Sequence, residues 1–355
     1  MELSLFDYDL PESLIAQTPV EPRDHSKLML VDRRTGDVQH AHFYDIASHL
    51  NAGDVLVLND TRVMHARLNA VKPDTLGKVE VLLLRQVNET DWWVIVGGRN
   101  VTQGKTLQLE GANITLDILQ EGEEAQRLVR FSEPIETLLP SMGQIPLPPY
   151  IHTRLSNEER YQTIYSRHEG SAAAPTAGLH FTPDLLLTLR EQGIQFAYCT
   201  LHIGLDTFQP MKVHNIKDHK IHSEWASLNA TNAKIINEAK LSGKRVIPVG
   251  TTSARTLETS AILSSGGEPA PPHMSDAVCA WRPVIAFEAQ TKLYITPDYR
   301  WRVCDGIITN FHLPKSSLLV MISAMMGREP LLNAYEVAKK MGYRFFSFGD
   351  AMFIR

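Results

Sequence analysis

Residues 219–225 read HKIHSEW and bring together several side chains that could do chemistry. His219 and His222 lie three positions apart, and Glu224 and Trp225 follow them. Imidazole nitrogens beside a carboxylate suit a metal site, a general base with an orienting acid, or a packed loop held by hydrogen bonds. These interpretations predict, in turn, a metal-dependent hydrolase, an enzyme that moves protons, and a segment without chemistry.

Four other segments end a predicted strand in polar side chains. The strands are DVLVLND, YCTLHIGLD, VIPVGTTSAR and GIITNFH, and the residues at their ends are Asn59, Asp60, Thr61, His202, Asp206, Thr251, Thr252, Ser253, Asn310 and His312. Ligands bind beyond the carboxyl ends of the strands in open parallel sheets. Each end alone is also explained by helix capping, but four converging ends predict a binding site at this edge.

Two loops have the composition of ligand-handling segments. GTTSARTLE places a strand end against a helix amino terminus, where free N–H groups favour an anion, and Arg255 in the first turn suits a carboxylate or phosphate. SAAAPTAGLHFT consists mostly of small residues that let the backbone approach a ligand closely, with His180 and Phe181 as its large side chains. Neither loop matches a Walker or a dinucleotide-binding motif.

The periodicity of the apolar residues divides the chain into two kinds of structure. Between Val79 and Phe131, short apolar runs separated by turn residues predict a small antiparallel barrel. After Ser156, strands alternate with amphipathic helices, which predicts a mostly parallel sheet covered by helices, and DVLVLND fits that sheet. We therefore predict an α/β fold in which residues 1–61 and 148–355 form the α/β domain and residues 62–147 an inserted β-barrel domain.

Helix boundaries are marked most clearly in FTPDLLLTLREQG. Thr182 is the predicted N-cap, Pro183 the first helical residue and Gly193 the stop. Further helices are predicted in ATNAKIINEAKLSG, SARTLETSAILSSG, KSSLLVMISAMMG and PLLNAYEVAKKMG.

Composition excludes several classes of protein. The 355 residues carry a formal net charge of −5, so the overall charge does not indicate a nucleic-acid partner. Three cysteines without C-x-x-C spacing argue against a disulfide framework. The longest apolar run, at 318–326, is too short for a membrane span, and the amino terminus lacks a signal-peptide core. We expect a cytoplasmic monomer.

Taken in order, seven segments of this sequence resemble one family. The segments are NDTRV, GSAAAPTAGLHFT, LHIGLDTFQPM, HKIHSEW, VGTTSARTLE, TNFHLPKSSLL and YRFFSFGDAMFI. Together they resemble the S-adenosylmethionine:tRNA ribosyltransferase-isomerases of queuosine biosynthesis across essentially the whole chain. The resemblance implies a β-barrel inserted in an α/β domain and a reaction that needs no metal.

The implied reaction uses S-adenosylmethionine as a ribosyl donor. The ribosyl part moves onto the aminomethyl group of 7-aminomethyl-7-deazaguanine at the tRNA wobble position and rearranges to an epoxycyclopentane, releasing adenine and methionine. A base must remove a proton beside the sulfonium, and an acid should protonate the departing adenine. Histidines suit both transfers because their reference pKa of ~6.5 lies close to the operating pH.

The resemblance, combined with the predicted edge of the sheet, yields three sets of candidate residues. The catalytic candidates are His180, His202, His219, His222, Glu224, Asp60, His312 and Asp350. For S-adenosylmethionine they are Thr176, Phe181, Trp225, Thr251, Thr252, Ser253, Arg255, Asn310 and Lys315. For tRNA they are Arg99, Lys105, Arg154 and Lys220.

More specific roles are expected for some of these residues. Glu224 is expected to fix the tautomer of His219 or His222, Arg255 or Lys315 to bind the methionine carboxylate, and Phe181 or Trp225 to face the sulfonium. A metal-dependent hydrolase using HKIHSEW and a non-catalytic tRNA-binding protein remain the alternatives.

The sequence departs from the family pattern at three places. Asp206 stands where a small residue is expected, and the hairpin GGRNVTQGKTL is less basic than its family counterparts. The linker at 268–292 is longer and divergent. These departures concern local loop geometry and RNA contacts.

Overall fold

The computed structural model describes residues 1–122, 125–204, 211–270 and 277–355, so Asp206 lies outside the described residues. The chain divides into two units. The first comprises Met1–Arg62, Pro149–His168 and Ala174–Arg355, and the second comprises Val63–Pro148 and Glu169–Ala173. The predicted insertion at 62–147 differs from the main part of the second unit by one residue at each end.

The first unit is built on two sheets. Numbered along the whole chain, its strands are β1 (Lys27–Val31), β2 (Val38–His42), β3 (Val55–Asn59), β12 (Gln195–Leu201), β13 (Glu224–Leu228), β14 (Val246–Pro248), β15 (Phe287–Thr291), β16 (Ile307–Asn310) and β17 (Ala351–Ile354). Five strands follow the order β14-β3-β12-β13-β15 and four the order β16-β17-β1-β2. A parallel bridge between Val249 and Ile308 connects β14 to β16 across the two sheets.

Four neighbouring strands of this unit run in the same direction. β14 and β12 both pair in parallel with β3, and the bridge adds β16 in the same sense. Their carboxyl ends therefore meet at one edge, as the sequence predicted. Antiparallel pairs flank them, with β13 and β15 on one side and β17 following β16 on the other.

The longer helices of the first unit are α2 (Pro183–Glu191), α3 (Ala230–Leu241), α4 (Thr251–Ser264), α5 (Ser317–Met326) and α6 (Arg328–Lys340). Of these, α2, α3 and α5 begin at a capping side chain, and α4 and α6 begin after a glycine. Thr182 caps α2 by accepting a hydrogen bond from the Leu185 amide at 3.2 Å, which confirms the predicted N-cap. None of the helices in the described part of the chain is long and apolar enough to cross a membrane.

The parallel strands are buried on both faces. Val55 and Val57 of β3 pack into a core that contains α4, whereas Leu56 and Leu58 pack into a second core with Phe43. This alternation follows from the two-residue period of a strand, and burial on both faces explains why β3 reads as a continuous apolar run.

The second unit is the predicted barrel. Its strands are β5 (Arg67–Val71), β6 (Lys78–Gln86), β7 (Asp91–Val96), β8 (Thr106–Leu109), β9 (Thr115–Glu121) and β10 (Gln126–Phe131). They close antiparallel in the order β10-β7-β6-β5-β8-β9, which leaves no open edge. The short helix α1 (Leu139–Met142) follows them, and β4 (Thr61–Val63) and β11 (His168–Ser171) form a separate two-stranded sheet. The predicted α/β fold with an inserted barrel is confirmed.

Candidate functional site

The ends of the parallel strands are tied together by Asn59. Its side-chain amide donates to the Leu201 carbonyl at 3.0 Å and to the Thr252 hydroxyl at 3.2 Å. Its side-chain carbonyl accepts from the amides of Thr61 and Leu201, both at 3.1 Å. One residue at the end of β3 thus fixes the ends of β12 and the start of α4. We call Asn59, Thr61, His202, Trp225 and Thr252 the strand-end cluster.

His202 is the titratable group of this cluster. Its Nδ1 lies 2.9 Å from the Thr61 hydroxyl, and its ring stacks on Trp225 with centroids 4.8 Å apart and planes at 16°. Burial, followed by the charge of His168, lowers the pKa of His202 to about 4. The imidazole is therefore neutral near pH 7, and none of the described residues makes a hydrogen bond with its Nε2.

Asp60, beside the cluster, is a buried carboxylate with a histidine nearby. It accepts a hydrogen bond from the Thr200 hydroxyl at 2.7 Å, and its second oxygen lies 3.6 Å from Nε2 of His168. Burial raises the pKa of Asp60 despite these partners. His168 was absent from the sequence candidates because it precedes the small-residue loop without a motif of its own.

A second group of side chains surrounds His180, and we call it the His180 network. The Thr176 hydroxyl donates to the Asn310 side-chain oxygen at 2.9 Å, and the Asn310 amide nitrogen lies 3.1 Å from Nε2 of His180. Nδ1 of His180 lies 2.7 Å from the hydroxyl of Ser26. Because an amide N–H₂ can only donate, Nε2 must accept, and Nδ1 carries the proton that it donates to Ser26.

The environment of His180 keeps its ring neutral. The side chain is 5% exposed, and the ring stacks on Phe43 with centroids 4.9 Å apart. Burial, and then the charges of Arg344 and Arg23, lower its pKa to about 3. Since both ring nitrogens are already hydrogen-bonded, this histidine positions its neighbours and has no free lone pair for a substrate proton.

The carboxylate of the segment HKIHSEW takes part in contacts that the sequence did not predict. Glu224 is the first residue of β13, and its buried carboxylate forms an ion pair with Arg255 of α4 and accepts from the Gly204 amide at 3.0 Å. Arg255 also donates to the carbonyls of His222 at 3.0 Å and Thr291 at 3.1 Å. The guanidinium therefore holds the sheet to α4. The predicted roles of Arg255 at a methionine carboxylate and of Glu224 at a histidine tautomer stay predictions.

The two histidines of the segment lie near the surface. His219 is half-buried with its ring edge-on to Tyr294 at 5.6 Å, and its pKa is lowered by burial and by His222. The side chain of His222 is exposed. Within residues 1–122, 125–204, 211–270 and 277–355, no three His, Cys, Asp or Glu side chains are grouped so that they could hold a metal ion.

Other candidates are engaged in packing. Phe181 has no exposed surface and lies edge-on to Phe43 at 5.0 Å, so it packs in the core, and its contact with a sulfonium stays a prediction. The buried Ser253 hydroxyl donates to the Val249 carbonyl at 2.9 Å, which stabilises the first turn of α4, and Thr251 is also buried there.

Three further candidates stabilise the chain locally. Asp350 accepts from the amides of Lys27 at 2.9 Å and Arg344 at 2.7 Å, and burial raises its pKa. His312 is buried with Nε2 2.7 Å from the Thr309 hydroxyl, and Lys315 forms an ion pair with Asp7. These contacts explain how the three side chains are held, and their predicted roles at the site stay predictions.

The candidate tRNA contacts are all exposed. Arg99 and Lys105 belong to the barrel, before β8, and Arg154 and Lys220 belong to the first unit. Exposure is what an RNA contact requires, and their roles stay predictions.

The buried histidines predict how stability depends on pH. His180 and His312 have pKa values of about 3 in the folded protein, against an ordinary value of 6.5. Because the unfolded chain binds more protons between these values, the free energy of unfolding should fall as pH drops below about 6.5, by up to about 1.4 kcal/mol per pH unit for each histidine. Urea titrations from pH 7 to 5 should show a shallower dependence in His312→Gln. Equal slopes in both proteins would contradict this expectation.

Comparison with known proteins finds relatives over the full length of the chain. The family model described as "Queuosine biosynthesis protein" matches residues 3–354. Proteins named S-adenosylmethionine:tRNA ribosyltransferase-isomerase from Clostridium kluyveri and Staphylococcus aureus strain Newman are 49% and 44% identical, covering 100% of both chains in each case. The crystal structure of an S-adenosylmethionine tRNA ribosyltransferase from Thermotoga maritima is 33% identical, with a TM-score of 0.55 over 99% of this chain and 100% of that one.

Proposed function

The chain belongs to the S-adenosylmethionine:tRNA ribosyltransferase-isomerase family of queuosine biosynthesis, and we propose that it carries out that reaction at the strand-end cluster. The ribosyl group of S-adenosylmethionine is transferred to the aminomethyl group of 7-aminomethyl-7-deazaguanine in tRNA and isomerised. Adenine and methionine are the leaving products, and epoxyqueuosine remains in the tRNA. Family membership speaks against the metal-dependent hydrolase and the non-catalytic RNA-binding protein.

The position of His202, with Nδ1 engaged by Thr61 and its ring beside the partly exposed Trp225, is the observation that supports this placement. A base that removes a proton from the carbon beside the sulfonium must be uncharged at the operating pH and must have an available lone pair. His202 is neutral because burial lowers its pKa to about 4. We infer that Thr61 receives the Nδ1 proton, because its own hydroxyl can donate to the His168 carbonyl at 3.4 Å. Nε2 is then the base.

Trp225 is the aromatic side chain that could face the sulfonium. It is partly exposed, whereas Phe181 is enclosed, and its ring already lies against His202. Attraction between a cation and an indole face contributes about 0.5–2 kcal/mol. A sulfonium held beside Trp225 would lie close to the proposed base, as the proton transfer requires.

The set of products tests the proposed reaction directly. Incubation with S-adenosylmethionine and tRNA that carries 7-aminomethyl-7-deazaguanine should release adenine and methionine in equal amounts. Nucleoside analysis should then show epoxyqueuosine, because the ribosyl group is transferred. The activity should survive a strong chelator. S-adenosylhomocysteine together with a methylated RNA, or activity that returns only when metal is added back, would exclude the proposal.

Three further properties follow as proposals. A tRNA substrate places the enzyme in the cytoplasm, and we expect it to act as a monomer. Contacts from Arg99, Lys105, Arg154 and Lys220 to RNA phosphates would each add about one to the salt dependence of binding. Neutralising all four residues together should lower the salt slope of tRNA binding, and an unchanged tRNA affinity at every salt concentration would exclude these contacts.

A further inference from the structure

A pocket opens to solvent beside the His180 network, and its space measures about 270 Å³ with the open solvent at its mouth included. Arg23, Arg160 and Arg344 contribute to its lining, together with Ser26 and His180. His180 is neutral, and no acidic side chain is among the described residues that line the pocket. The lining therefore carries three positive charges.

Each guanidinium is held in place by the backbone. Arg23 donates to the Gln162 carbonyl at 2.7 Å and to the Glu159 carbonyl at 3.0 Å. Arg160 donates to the Val20 carbonyl at 2.9 Å, and Arg344 to that of Thr18 at 3.0 Å. A guanidinium has five N–H donors, so these anchors fix the groups and leave donors for a ligand.

The positive charges of the pocket are only partly balanced. Nη2 of Arg344 is buried and makes no hydrogen bond with any described residue, and the nearest Asp350 oxygen lies 3.9 Å away. Arg160 has an ion pair with Glu21 at 2.8 Å, but that carboxylate is largely exposed. Burial, followed by the charge of Arg160, lowers the pKa of Arg23. Positive side chains that line one space favour a bound anion.

Ser26 supplies a neutral donor to the same pocket. Because Nδ1 of His180 donates to the Ser26 oxygen, the serine must direct its own proton elsewhere. Ser26 lines the pocket, so its hydroxyl can donate to a ligand there. Three guanidinium groups and a hydroxyl match the several oxygens of a phosphate group.

The charge of S-adenosylmethionine makes it a poor occupant. Its sulfonium and ammonium outweigh its single carboxylate, so the molecule is a net cation and is repelled by three arginines. A backbone phosphate of RNA carries a negative charge without a neighbouring cation. The electrostatics of the pocket therefore favour the RNA substrate over the ribosyl donor.

An exposed group of rings adjoins the pocket along the chain. The turn that carries Arg23 also carries His25, whose ring lies edge-on to Tyr44 at 5.1 Å, and His42 stacks on Tyr44 at 5.1 Å with planes 7° apart. All three rings are exposed. Proteins hold single-stranded RNA with aromatic surfaces beside cationic sites for the backbone.

We propose that the pocket binds one backbone phosphate of the tRNA and that Tyr44, with His25 and His42, stacks on an unpaired base of the same RNA. The proposal rests on the proposed function for the identity of the RNA. It assigns substrate binding to Arg23, Arg160, Arg344 and Ser26, which lie outside the strand-end cluster.

Binding of tRNA without S-adenosylmethionine tests this site. Arg160→Gln should raise the tRNA Kd about tenfold, equivalent to about 1.4 kcal/mol, and lower the salt slope of binding by about one. The control Arg34→Gln removes an arginine whose side chain is 85% exposed and should change neither quantity. The tRNA Kd of Arg160→Lys should lie between those of Arg160→Gln and Arg34→Gln. Thermal melting should show that all variants are folded.

A wild-type experiment keeps the test valid if a variant fails to fold. An anticodon stem-loop with one phosphate replaced by an uncharged methylphosphonate should bind the wild-type protein more weakly when the replacement lies at one particular position. Arg160→Gln should bind that stem-loop no more weakly than it binds the unmodified one. Inorganic phosphate at matched ionic strength should compete with tRNA better than chloride does. Phosphate that binds without displacing RNA would mean that the pocket takes a free anion, which overturns the proposal.

The remaining outcomes separate this inference from the proposed function. A raised KM for S-adenosylmethionine with an unchanged tRNA Kd would assign the pocket to the methionine carboxylate and overturn the inference. If both the KM for S-adenosylmethionine and the tRNA Kd are unchanged, neither substrate binds in the pocket, and the inference is overturned. Adenine release by the wild type measures the reaction independently, so either idea can fail while the other stands.

Discussion

Glu224→Ala is expected to lower the free energy of unfolding by about 3–5 kcal/mol, the usual cost of leaving one partner of a buried ion pair alone. Glu224 and Arg255 are each 7% exposed at the side chain, and Arg255 would keep its charge between β13 and α4 without a carboxylate. The Gly204 amide would lose its acceptor as well. Urea unfolding at pH 7 measures the effect, provided that the variant still folds.

Two further variants show whether the loss comes from the unpaired charge. Arg255→Met combined with Glu224→Ala removes both charges and should recover part of the stability. Glu288→Ala removes an exposed carboxylate from the neighbouring strand β15 and should change stability by no more than about 0.5 kcal/mol. If Glu224→Ala costs no more than Glu288→Ala, Arg255 is not committed to this pair, and its predicted role in binding a carboxylate returns.

His202→Gln should reduce turnover by about 10²-fold or more, the range expected for the loss of a general base. Glutamine preserves a polar side chain at the end of β12 but has no nitrogen that can accept a proton. The tRNA Kd should remain unchanged because the proposed phosphate site lies elsewhere. His214→Gln, which alters a histidine with an 86% exposed side chain, serves as the control.

The pH profile distinguishes a base from a residue that only supports the fold. Since the pKa of His202 is lowered to about 4, its protonation should reduce kcat/KM near that value and not near 6.5. We expect a smaller loss of turnover in His222→Ala, because the carbonyl that accepts from Arg255 is part of the backbone. Full turnover in His202→Gln would rule out this residue and return His219 and His222 as candidates.

The sequence revealed the edge of the sheet but not the contacts that distinguish the residues there. Polar residues after apolar runs predicted that Asn59, His202 and Thr252 would converge, because parallel strands end together. The Glu224–Arg255 pair escaped prediction because EWASL reads as the tail of a loop, and its strand character depends on pairing with β12 and β15. Whether an arginine binds a ligand or stabilises the fold depends on the burial of its side chain, which the sequence does not show.

The pocket was missed for a related reason. Arg23 and Arg160 come from segments that were not singled out in the sequence, and EPRDHS shows only three charged residues, a histidine and a serine near a proline. Arg23 precedes β1 and Arg344 precedes β17, and the two residues line one pocket beside the pairing of these strands. Contacts between residues so far apart in the chain cannot be inferred from local periodicity. The positive charge of the pocket becomes clear only when the folded structure shows its arginines lining one space.

The pairing of β1 with β17 affects how the chain behaves while it is synthesised on the ribosome. Lys27 and Asp350, which hydrogen-bond beside this pairing, are 323 positions apart. At translation rates of about 5–20 residues per second, the apolar strand KLMLV waits for tens of seconds before its partner exists. During that interval β2 can cover only one of its edges, and the other is open to pairing with other chains. The nascent chain thus keeps an open strand edge until β17 has been synthesised, and the proposed phosphate pocket forms only when Arg344 has emerged.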